Sequence, residues 1–196
     1  MSPGPAKQFD PDLALEQARD VFWRRGYDGT SLSELETTLG IGRKSLYDTF
    51  GSKRELYLRS LEHYTDTVIQ KICAGLDDPR NDALQNLERV LRRLGQHHGS
   101  PDSLGCLLGV AMAQTGSEDV ELSALLRGYL KRLERAFAGA IQAAQQDGTA
   151  DVDASAADVA HHLVALTQGM ALLGRVSDTT TQQRSIVRAV LHGLRP

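Results

Sequence analysis

From residue 10 to the end of the chain, apolar residues return every three or four positions, and no stretch shows a sustained two-residue alternation. That spacing lines one face of an α-helix and gives no support to strands, so the pattern predicts an all-α fold. Ala14, Leu15, Ala18, Val21 and Phe22 make the first stripe, opened by Asp10-Pro11 as N-cap and first helical residue and stopped at Gly26. Ser31 to Glu34 fits a capping box, after which Leu32, Leu35 and Leu39 form a second, short stripe ended by Gly40. A third helix from about Gly42 turns Ile41, Leu46 and Phe50 inward and leaves Arg43, Lys44, Ser45, Tyr47, Asp48 and Thr49 on the outside. Two short helices joined by a glycine turn, the second carrying cations and hydroxyls outward, have the layout of a helix-turn-helix that enters a DNA major groove.

Ser52 to Glu55 is another capping box and opens a long helix through Leu56, Leu61, Tyr64, Val68 and Ile72. It breaks at Leu76-Asp77-Asp78-Pro79-Arg80-Asn81. Helical stripes then follow at Leu84, Leu87, Leu91 and Leu94, at Leu104 to Ala113, and at Leu122 through Ala144. Loops are expected at 99–102, 116–117 and 147–154. The helix opening at Ser155 carries two adjacent stripes, Val159, Leu163, Leu166, Met170, Leu173 and Ala160, Val164, Thr167, Ala171, Gly174. The last helix carries Ile186, Val187, Val190, Leu191 and Leu194. Such wide apolar arcs exceed what one neighbour covers, and predict that residues 155–174 and 180–194 also pack against a second copy of the chain. The expected organisation is a flexible tail at 1–9, a DNA-binding head at 10–55 and a helical domain at 56–196.

Charge sharpens this picture through its distribution more than its sum. The 22 Lys and Arg against 25 Asp and Glu give a net charge of -3, unlike a generic nucleic-acid coat. Yet Arg43, Lys44, Lys53 and Arg54 fall within twelve residues that hold one acid, Asp48, a local patch suited to phosphates. The chain has no apolar run of about 20 residues and its start has no secretory h-region, so neither a membrane span nor export is expected, and the cytoplasm is the simplest compartment. Its two cysteines, Cys73 and Cys106, suggest neither a disulfide framework nor a zinc site.

These residues resemble the TetR family of one-component transcriptional regulators. The likeness runs through Ala18-x-x-Val21-Phe22-x-x-x-Gly26-Tyr27-x-x-Thr30-Ser31, then Leu39-Gly40-Ile41-Gly42-Arg43-Lys44-Ser45-Leu46-Tyr47-Asp48-Thr49-Phe50, and Gly51-Ser52-Lys53-x-x-Leu56. Gly105-Cys106-Leu107-Leu108 before a long helix is similar to one C-terminal branch of that family. The resemblance implies a homodimeric repressor on a palindromic operator, with an all-helical C-terminal domain that holds a small effector and releases DNA when filled. It implies DNA contacts from Thr30 and Ser31, from Arg43, Lys44, Ser45, Tyr47 and Thr49, and from Lys53. Two departures stand out: Gly42 where the family usually has a capping Ser or Thr, and Glu36 where it commonly has alanine.

Other chemistry has less support. Gly40-Ile41-Gly42-Arg43-Lys44-Ser45 lacks the Gly-Lys pair and the feeding strand of a phosphate loop. No nucleophile elbow, HExxH or paired carboxylates offer a catalytic group, so no enzyme activity and no cofactor are expected. The pairs His97-His98 and His161-His162 point about 100° apart on a helix and make poor joint metal ligands, so no metal is expected. Cys106, Met112, Tyr129, Phe137 and Thr167 mix flexible, aromatic and polar groups in the way of a pocket for a mostly apolar effector. The alternatives are a thiol- or metal-sensing regulator of the same fold, with Cys106 as the thiol, and a DNA-binding protein without a ligand.

Overall fold

A computed structural model describes residues 9–116, 118–151, 153–176 and 180–195. Among them the secondary structure is helical throughout, in nine helices. The chain divides between Asp66 and Thr67 into two compact units. The expected tail lies outside the described residues except for Phe9, as do Ser117 and Val152 of the expected loops.

In the first unit, α1 (Pro11–Gly29) starts where Asp10 accepts a hydrogen bond from the Asp12 amide at 2.9 Å. Gly26 does not end it outright. Its backbone swings to φ 73°, a left-handed angle that suits glycine, and a turn of helix follows the kink as far as Gly29. In α2 (Leu32–Leu39) the Ser31 hydroxyl accepts from the Glu34 amide at 3.1 Å, and Leu35 and Leu39 are buried. Gly40 closes that helix at φ 64°, which frees the chain to reverse into α3 (Arg43–Phe50). Leu46 and Phe50 of α3 are buried, and Gly42 supplies no side-chain cap. Ser52 then caps α4 (Lys53–Leu76) by accepting from the Glu55 amide at 3.1 Å. Ala18, Phe22, Leu35, Leu46, Leu56 and Leu61 are the core of this unit, with the rings of Phe22 and Tyr57 packed edge to face at 4.9 Å.

The second unit holds the rest of α4 and five more helices: α5 (Ala83–His98), α6 (Leu107–Gln114), α7 (Val120–Gln146), α8 (Ala156–Leu173) and α9 (Thr180–His192). The α7/α8 pair is its most extensive contact, with α5 packed on α7, α8 and α9, and α6 on α7 and α8. The break after Leu76 is tied down by Asn86, a buried amide that donates to the carbonyls of Leu76 at 3.1 Å and Asp78 at 2.8 Å. Arg80 and Arg89 bind the Asp78 carboxylate and hold its pKa well below the usual carboxylate range. α6 starts three residues later than the apolar run suggests. Gly105 takes φ 76° and Cys106 is extended, so Leu104 to Cys106 form an approach to the helix.

The α8 stripes are mostly used within the subunit: Ala160, Leu163, Val164, Thr167, Met170 and Ala171 are buried. Of the other stripe residues Val159 and Leu166 are half-buried and Leu173 is exposed, while outside the stripes Leu172 near the helix end is 65% exposed and Val176, past that end, 86%. That end abuts α5 so closely that a Cβ on Gly174 would fall 1.9 Å from the His98 carbonyl oxygen. Gln183 of α9 locks the corner by donating to the Met170 carbonyl at 3.0 Å.

Candidate nucleic-acid interface and helical cleft

The outer face of α3 follows from burial of its inner one. With Leu46 and Phe50 fixed in the core, the helical period leaves Arg43, Lys44, Ser45 and Asp48 exposed, Tyr47 39% exposed and Thr49 half-buried. Lys53, at the first turn of α4, lies with its ammonium 4.3 Å from the centre of the Tyr27 ring. That cation–π contact steadies a flexible side chain. Ser31 is exposed while its hydroxyl caps α2.

Thr30 stands apart from the other seven. It is 2% exposed, and its hydroxyl donates to the Gly26 carbonyl at 2.7 Å. Gly26 has left helical geometry, so its carbonyl needs another donor, and the motif threonine supplies one. Thr30 therefore shapes the entry to α2 while its side chain is turned away from solvent.

Two contacts of this surface were not legible in the sequence. Glu36 on α2 accepts from Arg43 Nε at 2.7 Å and raises the guanidinium's pKa through that bond and its charge. Arg59, two turns into α4, donates to the Thr49 carbonyl at 3.1 Å and lies over the Phe50 ring at 5.1 Å. Both contacts join residues on different helices, seven and ten positions apart, which no single-helix spacing rule picks out.

The second unit has a cleft of about 350 Å³ between α6 and α8, lined by Cys106, Val110, Met112, Gln168, Leu172 and Arg175 among others. Of the five expected pocket residues, Cys106 and Met112 are in its wall. Tyr129 stands behind them: its hydroxyl lies 4.0 Å from Cys106 Sγ and accepts from Gln168 Nε2 at 3.3 Å. Burial first, and then the thiol beside it, push the phenol's pKa up, so it stays neutral and available as a hydrogen-bonding group. Phe137 and Thr167 are buried but are not in the cleft wall, Thr167 donating instead to the Val164 carbonyl at 2.9 Å. The mix of side-chain types that suggested them for a pocket does not by itself separate a cleft wall from the core. Among the described residues no three His, Cys, Asp or Glu side chains gather as a metal site, and His98 is buried while His97, its neighbour, is exposed.

A capped helical head that turns cations and hydroxyls outward, followed by a helical unit with an apolar cleft, defines a helix-turn-helix regulator. Comparison with known proteins agrees: residues 14–59 match the model for bacterial regulatory proteins of the tetR family, and residues 82–190 match the tetracyclin repressor-like C-terminal domain. The chain belongs to the TetR family of DNA-binding transcriptional regulators. It is 32% identical over 152 residues to the HTH-type transcriptional regulator YezE of Bacillus subtilis, covering 74% of this chain and 75% of that one. It is 33% identical over 109 residues, 54% of each chain, to the transcriptional repressor BdcR of Escherichia coli. Among solved structures it is similar to a cysteine mutant of the TetR-family regulator CifR in complex with a 26-base-pair operator duplex. The TM-score is 0.84 at 28% identity, over 96% of this chain and 98% of that one. No helix among the described residues is long and apolar enough to cross a membrane.

Proposed function

We propose that the protein is a cytoplasmic repressor without catalytic activity of its own. It sits as a homodimer on a palindromic operator and leaves when a small, mostly apolar molecule enters the α6/α8 cleft. The observation that carries this reading is the outward face of α3. Ser31, Arg43, Lys44, Ser45, Tyr47, Thr49 and Lys53 supply the DNA contacts, and Thr30 acts by fixing the turn before α2. The repressor BdcR and the operator-bound CifR support the same reading. Functionally the chain divides into a tail at 1–9, a head at 10–55 and an effector and dimerisation domain at 56–196. Two copies join through residues 155–174 and 180–194, where Leu172 and Leu173 leave apolar surface open. An effector releases DNA only by favouring the conformation that does not bind it, so operator must weaken effector binding by the same factor.

A gel shift on the DNA upstream of the protein's own gene, with light scattering of the free protein, tests this. A shift by a dimer supports it; a monomer that leaves the DNA unshifted overturns it. The place of Cys106 in the cleft wall, against Tyr129, favours a second reading in which oxidation of the thiol is the signal. Peroxide then releases DNA from wild type and leaves Cys106→Ser bound, whereas an apolar effector releases both.

A further inference from the structure

Glu36 and Arg43 meet across the turn between α2 and α3, Nε to Oε1, at 2.7 Å. The Glu36 side chain is 24% exposed and that of Arg43 is 58% exposed, so the carboxylate is the anchored partner and the guanidinium the outward one. Arg43 is the first residue of α3, and helices of this kind touch base edges with their N-terminal residues. Gly42 just before it offers no capping side chain, which leaves Glu36 as a polar hold on this corner.

An ion pair this exposed adds little to stability. Its effect is on orientation. A guanidinium is a planar fork of N–H donors, and a bond made at Nε leaves open its end-on edge, where each terminal nitrogen presents one N–H. Two parallel donors match O6 and N7 of guanine in the major groove. The pair's charges also cancel, so Arg43 contributes less to sequence-independent attraction for phosphates than the exposed Lys44 beside it. What it retains is geometric readout.

We infer that Glu36 is a positioning residue for sequence specificity: by holding Arg43 at Nε it aims the terminal nitrogens at one guanine in each half-site. This rests on the reading of Arg43 as a DNA contact. The test is selection of bound sequences from a randomised duplex pool by the full-length dimer, comparing wild type, Arg43→Ala, Glu36→Ala, Glu36→Gln and the double alanine variant. Preference for guanine at one half-site position should drop at least about fivefold in both single alanine variants. Glu36→Gln, which keeps an acceptor, should retain part of it, and the double variant should match Arg43→Ala. Affinity of Glu36→Ala for unselected duplex should not fall, which a merely structural loss would not allow. A wild-type base profile in Glu36→Ala alongside a changed one in Arg43→Ala overturns this inference alone. An unchanged profile in Arg43→Ala overturns it together with the DNA-contact assignment.

Discussion

The head keeps its chemistry within one stretch, residues 30–53, on helices of eight residues that are opened and closed by local signals. The helical unit assembles its cleft from two distant stretches, 106–114 and 168–175, on helices whose faces are mostly consumed by packing. In the head, polar side chains stand outside a small core. In the second unit, groups with chemistry, Cys106, Tyr129 and His98, are themselves buried. One surface turns its chemistry outward, and the other encloses it; on the proposed function the first meets DNA and the second an effector. Substitutions should accordingly cost affinity in the first region and stability in the second.

The largest effect should come from Phe137→Ala. The ring is fully buried in α7, so its removal should cost ~3–5 kcal/mol of unfolding free energy in urea, while Tyr47→Ala on α3 should stay within about 0.5 kcal/mol. Equal losses at the two sites would erase the contrast.

A pH test reaches the same contrast through His98. Burial first, and then the neighbouring His97, push its pKa down to about 4, against an ordinary value of 6.5. The folded protein therefore keeps His98 neutral where the unfolded chain would take up a proton. Its contribution to stability is complete above pH of about 6.5 and is lost as the pH falls towards 4, by up to about 3 kcal/mol. Urea unfolding of wild type and His98→Phe at pH 7.5 and 5 should show the wild type losing more. Parallel losses would remove His98 from the account.

A smaller effect tests the head. Ser31→Ala removes the cap of α2 and should lower the thermal midpoint by the equivalent of ~1 kcal/mol. An unchanged midpoint would show that α2 is held by packing alone.

The same contrast explains what the sequence made legible. The helix starts read at Ser31, Ser52 and Ser155 are contacts over three residues, and in each the serine hydroxyl accepts from the amide three positions on. Helical periodicity located the core of both units because burial repeats with the helix. It overshot at Leu104 to Cys106, where an apolar run carries a left-handed glycine. Side-chain type, not periodicity, suggested Phe137 and Thr167 for a pocket, and both are buried outside the α6/α8 cleft wall. Thr30 shows the converse. Its motif position suggested a contact, while its hydroxyl answers a carbonyl freed by the kink at Gly26. Glu36 with Arg43, and Tyr129 with Cys106, join different helices and became visible only in three dimensions.

The central claim, that the outer face of α3 binds DNA, is tested most directly by fluorescence anisotropy of a labelled operator duplex titrated with wild type, Lys44→Ala and Tyr47→Ala over a range of salt. Wild-type log K should fall with log salt by about 0.9 for each phosphate neutralised, and Lys44→Ala should weaken all duplexes alike and reduce that slope by about one. Tyr47→Ala should cost ~1–3 kcal/mol, concentrated at one base position, if its ring meets a base edge. Both variants binding like wild type at every salt concentration would contradict the assignment of α3 as the recognition helix.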